Sequence, residues 1–162
     1  MKKYAIILML TFVCQTSFAQ SVESIYDDFK NEKGVESVNV SPMLMKFARL
    51  FMSKEDKDNP IMKGINSIRV LDLEESPKEL QERFIKEMGK LDLNGYETWI
   101  QAKDDGDNVK IMAKTKDDIV KELLVLTTGK DNCALVMMKG NIKQEDMQAI
   151  VSENQIMIDG RK

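Results

Sequence analysis

The chain has 162 residues, with 24 Lys and Arg against 27 Asp and Glu, two Cys and no His. Without histidine it lacks the commonest general base, the commonest zinc ligand and every Ser-His or Cys-His dyad. A net charge of −3 with no concentrated basic run argues against a nucleic-acid partner, because binding phosphates demands a clustered cationic surface.

Read from its start, the chain opens on Lys2 and Lys3, an apolar run from Tyr4 to Val13, and a polar stretch ending in Ser17, Phe18 and Ala19. These are the three regions of a cleavable secretory signal peptide, with Ser17 and Ala19 as the small residues read by the peptidase. The run is about half of the roughly 20 apolar residues that a membrane-spanning helix requires, so no transmembrane anchor is expected. Cleavage after Ala19 leaves residues 20–162 as a single domain starting at Gln20, periplasmic or secreted. It also removes Lys2 and Lys3, leaving 22 basic against 27 acidic residues, a net charge of −5. The alternative is a membrane-anchored lipoprotein acylated on Cys14. Against it, Val13 stands where such signals carry Gly, Ala or Ser.

Cys133 is then the only cysteine of the mature chain, so no internal disulfide can form and packing must supply the stability. Flanked by Ala134 and Leu135, it reads as a core residue.

Val22, Ile25, Tyr26 and Phe29 recur at i, i+3, i+4 and i+7, which predicts an amphipathic helix from about Ser21 to Glu32, stopped by Gly34. Val35, Val38 and Val40 predict a short strand. Ser41 and Pro42 supply an N-cap and a first-turn proline for a second helix reaching about Ser53. Its residues Met43, Leu44, Met45, Phe47, Ala48, Leu50, Phe51 and Met52 are interrupted only by Lys46 and Arg49. A helix apolar almost all round is ordinarily buried, so core packing is expected, with a ligand or partner groove as the alternative.

Lys54 to Asn59 reads as a charged loop closed by Pro60, and Ile65, Ile68, Val70, Leu71 and Leu73 as a second strand. Ser76, Pro77 and Glu79 have the spacing of a capping box before a third helix lined by Leu80, Phe84, Ile85, Met88 and Leu91. From Tyr96 to Lys114 the sequence alternates around Asp105 and Gly106, a favoured two-residue hairpin turn. That turn pairs Asp104 with Asp107, Ala102 with Val109, Ile100 with Ile111 and Thr98 with Ala113. Trp99 and Met112 then fall together on the opposite, wetter face, where they are the candidate partner contacts. Asp104, Asp105, Asp107 and Asn108 imitate a calcium loop, but Gly106 and Thr115 stand where ligands should, so no metal is expected.

Ile119 to Thr128 and Cys133 to Lys139 are near-continuous apolar strands suited to a sheet covered on both faces. Asn141 and Gln144 suggest a capping box for a last helix with Met147, Ile150 and Val151 buried, and residues 153–162 a frayed tail or edge strand. The fold class is α+β, a mainly antiparallel sheet of about five to six strands with four helices packed on it.

Lys33, Gly34, Val35, Ser37 and Val38, then Gly95, Tyr96 and Glu97, resemble the bacterial exported proteins of domain-of-unknown-function family 4252. So do the turn Asp104, Asp105 and Gly106, the run Glu122, Leu123 and Leu124, and Lys139, Gly140, Asn141 and Ile142. The resemblance spans nearly the whole mature chain. It implies a small exported or lipid-anchored protein with no established activity, and so assigns no catalytic residue. The expected function is a non-catalytic binding or interaction module outside the cytoplasm, without a cofactor, whose partner is a protein or envelope component. A carrier of an apolar ligand is the alternative, motivated by ten methionines in the mature chain. A histidine-free carboxylate hydrolase stands behind it.

Overall fold

The computed structural model describes residues 21–104, 106–129 and 132–147. The expected signal peptide Met1–Ala19, most of the expected last helix and the expected tail at 153–162 fall outside these residues. Helix α1 (Val22–Phe29) begins with a reciprocal capping box between Ser21 and Ser24. Strand β1 (Glu36–Val40) follows, then α2 (Pro42–Phe51), in which Ser41 Oγ accepts from the Leu44 amide and Pro42 holds the first turn.

The expected charged loop is two short helices instead, α3 (Lys54–Asp58) and α4 (Pro60–Gly64). Each has a side-chain cap, Ser53 for α3 and Asn59 for α4, and Pro60 starts the second rather than closing a loop. Strand β2 (Ile65–Asp72) and helix α5 (Lys78–Gly89) come next. The Ser76 capping box does not form: buried Ser76 donates its hydroxyl to the Leu73 carbonyl, and Gln81 Nε2 donates to the carbonyls of Leu73, Glu74 and Ser76.

Strands β3 (Glu97–Asp104), β4 (Asp107–Lys116), β5 (Ile119–Thr128) and β6 (Cys133–Lys143) complete one six-stranded, wholly antiparallel sheet of order β1-β2-β6-β5-β4-β3. The α+β class is as the sequence predicts, with more helices than four. β6 runs through Asn141, whose side chain accepts from Lys121 Nζ, so the Asn141 cap is lost and the helical turn at 144–147 starts without it.

The two faces of the sheet carry separate cores. On one, α1 and α5 bury Ile25, Phe29, Phe84 and Met88 against Leu71, Met112, Leu124, Leu135 and Met137. Phe29 and Phe84 meet edge to face at 5.3 Å between ring centroids. On the other, Met45 of α2 and Met147 lie with Ile65, Ala113, Val120, Leu123 and Ile142, flanked by Ile61, Met62, Trp99 and Ile111. Gly140 lets α4 close onto β6: a Cβ there would strike the Gly64 carbonyl and sit 3.1 Å from Ile65 Cα.

The β3–β4 hairpin keeps the expected register from Asp104↔Asp107 to Ile100↔Ile111 and then slips, pairing Thr98 with Met112 and Glu97 with Ala113. Trp99 is the extra residue of this bulge, so it loses the expected pairing with Met112, which now faces Thr98, and the two fall in cores on opposite faces of the sheet.

Candidate functional site

Helix α2 is turned inside out relative to the expectation that it packs in the core. Of its residues only Met45 is buried. Met43, Leu44, Phe47, Leu50 and Phe51 face solvent, from 53% exposed at Leu44 to 81% at Phe51. Their spacing of i, i+1, i+4, i+7 and i+8 from Met43 makes one continuous stripe. Phe47 and Phe51 lie against each other with ring centroids 6.2 Å apart.

What holds this orientation is polar. Arg49, one turn after Met45, shares its inward side and donates from Nη2 to the carbonyls of Met62 (3.2 Å), Lys63 (3.1 Å) and Ile65. The first two belong to the last turn of α4 and the third to its C-cap Ile65, where a cation is also favoured by the helix dipole. Lys57 Nζ in turn donates to the Leu50 carbonyl at the end of α2. A guanidinium cannot face solvent and fill this cradle at once, so the apolar residues half a turn away point outward.

The sequence candidates Trp99 and Met112 do not form a joint contact surface. Met112 is 2% exposed in the core under α1 and α5, while half-buried Trp99 packs in the core of the opposite face. The bulge is the cause, and a strict alternation of side chains could not reveal it.

A second polar cluster joins α1 to the sheet. Tyr96 Oη donates to Glu122 at 2.5 Å, Lys139 Nζ sits 3.8 Å from the same carboxylate, and Lys139 also bonds Glu23. Burial raises the Glu23 pKa, but the hydrogen bond and charge of Lys139, together with hydrogen bonds from the Glu23 backbone and Ser21, outweigh it and leave a net shift downward. Burial and the Glu122 carboxylate push the Tyr96 hydroxyl well above its ordinary value. Both settings suit a clasp of fixed charges, in which a carboxylate held ionised is a poor proton donor.

Among the described residues no group of three or more His, Cys, Asp or Glu is placed to hold a metal. No helix there is long and apolar enough to cross a membrane. Two clefts, one lined by Asp118, Ile119, Lys143, Gln144 and Glu145 and one by Glu32, Lys33, Pro77, Glu79, Leu80 and Arg83, are open and edged with charge.

The family model for a domain of unknown function, DUF4252, matches residues 26–150, more than half of the chain. The chain belongs to the DUF4252 family. No curated protein and no solved structure matches it. The DUF4252 match takes in all of the sheet and the whole of α2 with its outward stripe.

Proposed function

We propose that this DUF4252 protein is a non-catalytic binding module outside the cytoplasm, and that the outward face of α2 is its contact surface. The observation that supports this reading is the stripe itself. Five large apolar side chains stand exposed on one helix while its Arg49 is turned inward. Taking about 200 Å² for each such side chain, the exposed part comes to roughly 600 to 700 Å², at or beyond the largest apolar patch of an ordinary soluble monomer. A shallow helix face also suits a surface contact better than an enclosed small-molecule site, which needs a concave pocket.

Export belongs to the same reading, with cleavage after Ala19 and a mature protein beginning at Gln20. Intact mass of the natively expressed protein tests it, and a diacylglyceryl group on Cys14 would replace a free protein by an anchored one.

Contact at α2 is tested by methionine oxidation, in intact host cells and in the purified protein. Met43 is 75% exposed and should oxidise readily once isolated, yet be protected in place. Buried Met112 should resist in both settings and serves as the internal control. Equal oxidation of Met43 in the two settings would sink the assignment of α2 as a contact surface.

A further inference from the structure

We infer that the surface engaged by α2 is the anionic headgroup layer of a lipid bilayer, an inference that rests on the contact-surface reading above. The first ground is the charge around the stripe. Residues 41–64 contain five cations, Lys46, Arg49, Lys54, Lys57 and Lys63, against three acids, Glu55, Asp56 and Asp58; with Arg49 turned inward, the other four leave a net +1 at the surface of a chain of net −3. α2 itself has no acid. Asp58 is paired with Lys63 and Asp56 accepts from Ser53 Oγ, which leaves Glu55 as the one carboxylate of the segment with neither kind of partner. Among the described residues, exposed Lys46 and Lys54 have no ion pair, so both ammonium groups stand ready for an outside anion.

The second ground is shape. At about 1.5 Å per residue, α2 is a rod about 15 Å long, and its stripe of Phe, Leu and Met beside free lysines is the pattern of a helix lying in a membrane interface. Such a helix sinks its apolar side about 5–10 Å into the headgroup boundary and keeps its cations at the phosphates. A second copy of the chain fits less well. Apposed α2 helices would bring cations together without any acid of α2 to answer them. The patch also reaches only the lower end of the roughly 600 to 1,000 Å² that each partner gives to a stable protein interface.

The experiment is vesicle co-sedimentation with the protein recovered in soluble form after export from its own host. Vesicles of phosphatidylglycerol with phosphatidylethanolamine are compared with vesicles of phosphatidylcholine alone. The parent should bind the anionic vesicles, lose binding as salt rises, and bind the zwitterionic ones weakly. The double variant Phe47→Asp with Phe51→Asp should bind the anionic vesicles about tenfold more weakly or worse. Both positions are largely exposed, so its thermal midpoint should fall by no more than about 5–10 °C, leaving a folded protein in which lost binding is separate from lost folding. No binding by the parent, or equal binding by parent and variant, would overturn the lipid assignment. A parent dimer that the double variant converts to monomer in analytical sedimentation would also overturn it, in favour of a second copy. Met43 protected in cells together with failed vesicle binding would leave α2 a contact surface for a protein, whereas loss of both results would remove both readings.

Discussion

Two phenylalanines in this chain should respond oppositely to the same truncation. Phe84 on α5 has no exposed surface and abuts Phe29, whereas Phe47 on α2 is 61% exposed. Phe84→Ala should cost roughly 3–5 kcal/mol, the range for emptying a buried aromatic site, with the edge-to-face contact placing it in the upper half. For Phe47→Ala, burial of about two-fifths of a side chain worth about 1.5–3 kcal/mol gives a loss near 1 kcal/mol. Alanine's better helix propensity returns about half of that, for a net cost of about 0.5 kcal/mol. Urea unfolding followed by circular dichroism measures both, provided the slope with denaturant is unchanged between variants. The midpoint of thermal unfolding should fall by about 10 °C or more for Phe84→Ala and by about 2 °C or less for Phe47→Ala. A cost above about 2 kcal/mol at Phe47 would mean that α2 packs its apolar side inward, and the contact-surface argument would fail with it.

Arg49→Ala should destabilise by about 1.5–3 kcal/mol in the same urea assay, since a charged donor leaves three carbonyls at the end of α4. Arg49→Lys should recover part of this loss, and limited trypsin digestion should cut at Lys46 faster in the alanine variant. Glu23 has a folded pKa below its ordinary 4.5, so its contribution is present above that value and lost as pH falls through the folded pKa. The stability gap between the parent and Glu23→Gln should therefore hold steady from neutral pH down to about 5 and close at lower pH, as measured by urea titrations across the range. A gap that widens on acidification would refute the Lys139 clasp. The Cys133 thiol, pushed up to about 11 by burial and by Asp72, should resist alkylation at pH 8 in the native protein and react at once in denaturant.

Much of the local structure was legible because its causes are local. Ser41 caps a helix, Pro42 sits in its first turn, and the expected hairpin pairing holds from Asp104↔Asp107 to Ile100↔Ile111. Caps and two-residue turns depend on atoms only a few residues apart, so spacing alone reveals them. Where a nominal cap failed, another partner had claimed the side chain: for Ser76 the Leu73 carbonyl three residues earlier, for Asn141 the ammonium of Lys121 on the neighbouring strand.

By itself, then, the sequence determined the order of the longer helices and strands, though not α3 and α4, together with the α+β class and the hairpin's first half. Strand order, the bulge at Trp99 and the direction of α2 were decided only in three dimensions. For α2 the reason is specific: a helix apolar on nearly every side has no periodicity to say which side is buried. Arg49 settles the matter through carbonyls 13, 14 and 16 residues further along the chain, which reach it only once α4 has folded back against β6.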